Sequence, residues 1–216
     1  MMNRFRLTPL QAAMHVGAVF PLMRLIFDLV TGSLGPNPIQ SLEQRTGRTA
    51  VTLLLLSLSC TPLNTLFGWR ELLLRRRALG LYAFLYACLH VLVFLDLDYG
   101  LDWHLILNAV FEKRFILVGA LSFFLLIPLA ITSFDIWVKR LRKNWKRLHR
   151  LVYLIAPLVI LHFGWARKGD FLRLQGDVLQ PLVYGAMLVL LLALRLSPLR
   201  KAAVSFRNRI LARRTG

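Results

Sequence analysis

Residues 78–95 read ALGLYAFLYACLHVLVFL, an apolar run with no formal charge, preceded by Arg75-Arg76-Arg77 and closed by Asp96. A stretch of this length crosses the roughly 30 Å hydrocarbon core of a bilayer as an α-helix. It cannot do so as a lone strand, because in lipid each spanning segment has to satisfy its own backbone N–H and C=O groups. The same reading carried outward finds five further stretches, at 7–30, 46–66, 115–134, 151–165 and 178–196. The expected architecture is all-α: one polytopic domain over residues 1–216, a bundle of six transmembrane helices, ending in a basic tail at 197–216. Turn signals separate the stretches, among them Gly32-Ser33-Leu34-Gly35-Pro36-Asn37-Pro38, Gly68 and Lys168-Gly169-Asp170. Pro21, Pro62, Pro128 and Pro157 fall in or near the apolar runs, where they bend helices. The 151–165 run is short for a span, so either His149 and Arg150 extend it or the bilayer is thinned around it. No internal repeat is visible. Arg4 and Arg6 ahead of the first run resemble the start of a signal peptide. No small-residue cleavage pattern follows, and Arg24 and Asp28 interrupt the apolar region, so a retained first helix is expected.

The 216 residues include 28 Lys+Arg against 10 Asp+Glu, a formal charge of +18, yet 57% are hydrophobic and the mean hydropathy is +0.59. A soluble nucleic-acid binder can be this basic but is not normally this apolar. A disordered basic tail would need low hydrophobicity. The location of the cations resolves the pairing. Twenty lie before the first run, between the second and third, between the fourth and fifth, or at the end of the sixth (Arg195) and beyond it, accompanied only by Glu71 and Asp135. The other eight (Arg24, Arg45, Arg48, Lys113, Arg114, Arg167, Lys168, Arg173) balance eight acidic residues on the opposite side. The whole excess falls on one face. By the positive-inside rule that face is cytoplasmic, which puts both termini inside and requires an even number of spans. Attraction to anionic lipid headgroups accompanies this topological role.

Ionisable groups inside spans are costly and mark function. His90 lies twelve residues past Ala78, about 18 Å along its helix at 1.5 Å per residue. His162 lies thirteen residues past His149, about 20 Å above it on a helix that runs the same way. The two reach one depth in the outer half of the bilayer. Two imidazoles at one level on two helices are what a six-coordinate b-type haem requires, with His90 and His162 as axial ligands of the iron. The competing reading is a pair of hydrogen-bonded bundle histidines. Cys-x-x-Cys-His does not occur, so covalent c-type attachment is excluded.

His149, at the cytoplasmic start of its helix, raises the question of a second haem. Fourteen positions before His90 stands Arg76, followed by Arg77, and neither is an ordinary haem ligand. Thirteen steps of 100° leave His149 and His162 about 140° apart on an ideal helix, unless Pro157 alters the phase. Pairing with His15, contact with a porphyrin propionate, and a place at a flavin or quinone site all stay open for His149. Arg76 and Arg77 are suited to neutralising propionates or a phosphate, although a topology signal explains them as well. His104, beside Trp103 in an outer loop, reads as an interfacial residue. Cys60 and Cys88 read as small apolar residues and not as a disulfide. No Walker loop, dinucleotide fingerprint or zinc motif is present. The chain has no site for taking hydride and must be given electrons by another protein or carrier.

The stretches GSLGPNPI (32–39), TGRTA (46–50), TPL (61–63), RRALGL (76–81), LH (89–90), PLAITS (128–133) and WKRLHRLVY (145–153) resemble, in order and spacing, the MsrQ family, formerly YedZ. This is the haem-binding membrane subunit of bacterial periplasmic methionine-sulfoxide reductase systems. The broader resemblance is to the ferric-reductase-like transmembrane domain, in which histidines of the third and fifth helices hold haem. The resemblance implies an electron-transfer subunit of an oxidoreductase complex, not its catalytic subunit, in the bacterial inner membrane. Electrons from the quinone pool or a cytoplasmic flavin reductase would pass through haem b to MsrP, a periplasmic molybdenum-cofactor enzyme. MsrP would then repair methionine sulfoxide, a lesion that turns an apolar side chain polar. FMN is also implied, with no motif to locate it. His90 and His162 match the expected haem histidines, and His149 matches the additional histidine of the fifth helix. The chain departs from the family at Lys113-Arg114-Phe115, where Arg-Pro-aromatic is frequent, and at Leu141-Arg142, where Leu-Gly is frequent. Three other readings compete: a membrane reductase acting directly on ferric iron or oxygen, a transporter using intramembrane His and Arg, and a plain membrane anchor. The first needs a flavin and nicotinamide domain for which 216 residues leave no room. The second lacks repeats and mid-membrane acids.

Overall fold

Two helices start in the same way, and the sequence shows why. Thr8 accepts a hydrogen bond from the Gln11 N–H and Pro9 follows as the first residue of α1 (Pro9–Val30). Asn37 likewise accepts from the Gln40 N–H ahead of Pro38, the first residue of α2 (Pro38–Phe67). Each side-chain oxygen satisfies an orphan donor, while proline brings a preset φ to a position where its missing N–H costs nothing. Gly68 ends α2 in the left-handed region at φ 76°. The remaining helices are α3 (Arg70–Leu92), α4 (Trp103–Glu112), α5 (Arg114–Ile131), α6 (Asp135–Leu141), α7 (Lys143–Leu148), α8 (Val152–Ala166) and α9 (Leu179–Ala193). A π-helical turn at Val93–Asp98 prolongs α3, and a 3₁₀ turn at His149–Leu151 joins α7 to α8. The structure, a computed structural model, describes residues 8–167, 178–201 and 204–205. Arg4, Arg6, the Lys168-Gly169-Asp170 turn, Arg173, Asp177, Arg207, Arg209, Arg213 and Arg214 lie outside the described residues.

Among the described residues the chain is all-helical. Five segments are long and apolar enough to cross a membrane: Pro9–Val30, Pro38–Phe67, Arg70–Asp98, Arg114–Ile131 and Lys143–Ala166. The sixth apolar helix, α9, has 15 residues, about 22 Å at 1.5 Å per residue. The protein is therefore a multi-pass helical membrane protein with five full-length spans and one shorter apolar helix. The short run at 151–165 is completed by extension, since α7, the 3₁₀ turn and α8 form one 24-residue segment. Three features differ from the sequence reading. Helix α2 begins eight residues before its apolar run, because a helix that leaves the lipid keeps its own hydrogen bonds in water. The 115–134 stretch ends as helix at Ile131, and the outer loop folds into α4. Between α6 and α7, Arg142 sits at φ 46°, ψ −115°, a strained conformation for a residue with a Cβ. It is the site of the Leu141-Arg142 departure noted above, and its backbone is one that glycine adopts without strain.

Helix α2 is the axis of the bundle: 44% of its apolar window is buried, against 17–22% for the other four spans. Leu54, Leu55, Leu58 and Cys60 of α2 meet Ala83 and Tyr86 of α3, Ile155 and Ala156 of α8, and Leu188 of α9. Lipid tails are as apolar as leucine, so helix association depends on close packing and interhelical hydrogen bonds. Small residues accordingly line the contacts, with Ala18, Ala83 and Ala156 all buried. Phe20, Phe27, Phe124, Leu154 and Val189 project outward. Polar ties complete the bundle. The Tyr86 hydroxyl donates to Ala18 O at 2.7 Å, Thr52 and Tyr184 share a hydrogen bond of 2.7 Å between α2 and α9, and Asp28 of α1 is held by Arg24 and by Arg45 of α2.

Candidate functional site

The most extensive helix pairings are α2 with α3 and α5 with α8, and each second helix carries one histidine near the same end of the bundle. The structure brings His90 of α3 and His162 of α8 together across the bundle, with ring centres 6.1 Å apart and planes crossed at 74°. Two metal–imidazole bonds of about 2.0–2.1 Å each, with about 1.1 Å from nitrogen to centre added for each ring, put the centres of two opposed imidazoles roughly 6 Å apart. The observed spacing is compatible with two imidazoles on opposite sides of one metal and is also that of an edge-on ring contact.

The other ring nitrogen of each histidine is committed. His90 Nδ1–H donates to Glu43 O at 3.0 Å, and His162 Nδ1–H donates to Phe115 O at 2.7 Å. A carbonyl can only accept, so the hydrogen is on Nδ1 in both rings and each Nε2 keeps its lone pair. This hydrogen bond fixes tautomer and ring orientation and raises ligand basicity. Beside each carbonyl lies a glycine. A Cβ at Gly47 would stand 3.2 Å from His90 Nδ1, and one at Gly119 would stand 2.7 Å from both Nδ1 and Cε1 of His162. Among the described residues no group of three or more His, Cys, Asp or Glu forms a metal cluster. The donor set is thus two neutral imidazoles, which suits a haem that brings its own four equatorial nitrogens and does not suit a free metal ion.

His149 is not part of this pair. It lies at the opposite end of α8, its ring stacked on Trp145 with centres 4.1 Å apart, and its Nε2 is 3.1 Å from Thr132 Oγ1. The Thr132 hydroxyl donates to Pro128 O at 2.6 Å, so His149 Nε2–H is the donor to Thr132 and Nδ1 is left with a lone pair. Trp145 Nε1–H donates to Thr132 O at 2.8 Å. Arg76 and Arg77 act electrostatically on His149, and Arg77 pairs with Asp135. These two arginines, fourteen and thirteen residues before His90 on α3, are about 20 Å from it along the helix. They belong with His149 and not with the His90–His162 pair. His15 is bonded through Nδ1 to the Tyr82 hydroxyl at 2.8 Å, and the ring of His149 lies on Trp145. His104 is exposed on α4, next to Asn108. Cys60 and Cys88 are both free thiols.

The sequence reading missed Glu43, Gly47, Phe115 and Gly119. A signal existed: the carbonyl residue precedes its histidine by 47 positions in both halves, and a glycine stands one helical turn after each carbonyl residue.

Residues 46–160 match the family described as ferric reductase like transmembrane component, a range that includes His90 and His149 and stops just short of His162. The chain is 42% identical to the protein-methionine-sulfoxide reductase heme-binding subunit MsrQ of Herminiimonas arsenicoxydans over 88% of this chain and 85% of the relative. It is 41% identical to that of Rhodospirillum rubrum, covering 86% of each. To that of Xanthomonas campestris pv. campestris it is 39% identical over 86% of this chain and 84% of the relative.

Proposed function

We propose, for a chain that belongs to the MsrQ family of heme-binding reductase subunits and carries its ferric-reductase-like transmembrane component, that His90 and His162 hold one b-type haem and that the protein is a one-electron conduit. The observation that carries this reading is the paired rings themselves, with both Nδ1 hydrogens donated to backbone carbonyls, which leaves a lone pair on each Nε2. A haem held there supplies a ferric/ferrous couple. The chain's part is to keep two neutral, basic imidazoles at fixed separation in a medium that excludes water. Both rings are anchored to helix backbone, so little has to move when charge changes. An imidazole on each side leaves no coordination position for oxygen or substrate, which favours electron transfer over direct chemistry.

The direction of transfer follows from the charge partition. Arg70, Arg75, Arg76, Arg77 and the α6–α7 cations gather at one end of the bundle, joined by the Arg77–Asp135 pair. The positive-inside rule makes that end cytoplasmic, and His90 and His162 then lie toward the periplasm. With α9 crossing as a sixth, thinned span, both termini are cytoplasmic and the membrane is the bacterial inner membrane. The acceptor is the periplasmic molybdenum-cofactor enzyme MsrP, which repairs methionine sulfoxide. The donor is the quinone pool or a cytoplasmic flavin reductase. The stacked Trp145–His149 pair beside Arg76 and Arg77 offers an aromatic face and two phosphate-binding guanidinium groups, the chemistry that FMN or a second haem's propionates would engage.

The test is stoichiometric electron transfer. Dithionite-reduced protein, freed of excess reductant in detergent, is mixed with purified MsrP and methionine sulfoxide. Reoxidation of the haem within seconds that depends on both additions is expected. A haem that stays reduced with MsrP and substrate present overturns the proposed role.

A further inference from the structure

We propose that Gly47 and Gly119, each with the carbonyl one turn before it, are a matched pair of imidazole seats that hold His90 and His162 crossed and thereby set the electronic symmetry of the iron between them. The inference rests on the bis-histidine reading and concerns residues which that reading does not use. In an α-helix the Cα–Cβ bonds tilt toward the N-terminus, so the side chain at one position overhangs the carbonyl one turn earlier. At most positions it shields that carbonyl from a neighbouring helix. Glycine removes the shield, and the second lone pair of the carbonyl becomes available to an outside donor.

Both histidines exploit this opening. His90 Nδ1–H reaches Glu43 O across the bare face of Gly47, and His162 Nδ1–H reaches Phe115 O across Gly119. The two halves match: the same carbonyl-to-histidine spacing of 47 residues, the same glycine one turn on, and the same order of seat helix before ligand helix. The pattern amounts to a parallel internal repeat, α2–α3 with α5–α8, reduced to the residues that address the iron. The seats are unequal in tolerance. A Cβ at Gly119 falls 2.7 Å from two ring atoms of His162, and one at Gly47 falls 3.2 and 3.3 Å from Nδ1 and Cε1 of His90. Neither ring can yield freely, because its Nδ1 is tied to the seat and the opposite imidazole stands 6.1 Å away, centre to centre. The result is the 74° crossing. Ferric iron between crossed imidazole planes has two nearly degenerate d orbitals and a strongly anisotropic low-spin resonance, whereas parallel planes give a rhombic one.

The experiment is ferric electron paramagnetic resonance on the haem-loaded full chain in detergent, with haem-to-protein ratio and size-exclusion profile recorded for each variant. The wild type gives the strongly anisotropic low-spin signal. Gly119→Ala loses it several-fold per haem, in favour of high-spin or rhombic signals. Gly47→Ala keeps its haem and shifts the largest g value. Gly17→Ala, whose added Cβ meets nothing within 4 Å, matches the wild type. A rhombic wild-type signal, or a Gly47→Ala signal identical to wild type, overturns the seats, and the latter decides the matter if Gly119→Ala does not fold. A wild type that binds no haem overturns the bis-histidine reading instead.

Discussion

Arg195→Met tests how the shorter α9 is fastened to the rest of the bundle. Arg195 stands just beyond the C-terminal end of α9, with Nη2 donating to Leu58 O of α2 at 2.5 Å and Nη1 donating to the Tyr153 hydroxyl of α8. Its guanidinium also lies over the Tyr153 ring, 5.1 Å from the centroid. One side chain thus ties three helices. A charge-assisted hydrogen bond contributes about 1.5–3 kcal/mol in soluble proteins, but interhelical bonds in membrane proteins average only about 0.6 kcal/mol, because the unfolded chain in lipid finds other partners. Two such bonds at the lower value, with a cation–π contact of about 0.5–1 kcal/mol, give about 2 kcal/mol for Arg195→Met. Methionine retains most of the packing, so the loss is polar. At about 2–4 °C per kcal/mol for a chain of this size, the apparent Tm in detergent falls by about 4–8 °C. Tyr153→Phe removes one bond and leaves the other, and falls by less than half as much. Helix α9 also packs behind α8, where Tyr184 meets Phe163 edge-on with ring centres 5.7 Å apart, so haem loss should follow the same order on heating. A Tyr153→Phe variant less stable than Arg195→Met, or no change in either, refutes the reasoning.

Arg142→Gly relieves the left-handed backbone between α6 and α7 and raises stability by about 1 kcal/mol, read as a higher Tm with an unchanged absorption spectrum. His149→Ala leaves the bands of the His90–His162 centre intact, since it removes a side chain thirteen residues away along the helix, about 20 Å. Any haem lost in that variant reports a second site at the His149 end of the bundle. With Cys60 and Cys88 replaced by Ala, Asn108→Cys on α4 reacts with a membrane-impermeant maleimide in intact spheroplasts and Lys143→Cys reacts only after lysis. The reverse pattern would invert the assigned orientation.

The depth of the histidine pair was legible in the sequence because helix rise is uniform: counting from Ala78 and from His149 is enough to place His90 and His162 at similar heights. Their partners were not legible. Glu43 and Phe115 contribute backbone carbonyls, which carry no side-chain signature, and Gly47 and Gly119 look like ordinary glycines until a neighbouring helix is laid against them. The repeat went unseen for the same reason, since it is preserved at three positions per half. Hydropathy located the apolar part of α2 but not its polar first turns, and it gave no sign of α4 or α6, which lie outside the spanning stretches, or of the polar turn α7 that lengthens the fifth span. The phase mismatch between His149 and His162 was visible in advance. Its structural counterpart is a 3₁₀ turn that begins at His149 and a ring turned aside onto Trp145 and Thr132.

The reduced-minus-oxidised absorption spectrum of the purified protein, taken with iron analysis, tests the central assignment most directly. The wild type should show sharp b-type bands with at least one haem iron per chain, and His90→Ala and His162→Ala should each lose the bands of that centre, while His104→Ala keeps them. A wild type that remains colourless after reconstitution with haem, or a double His90→Ala/His162→Ala variant with an unchanged spectrum, would contradict it.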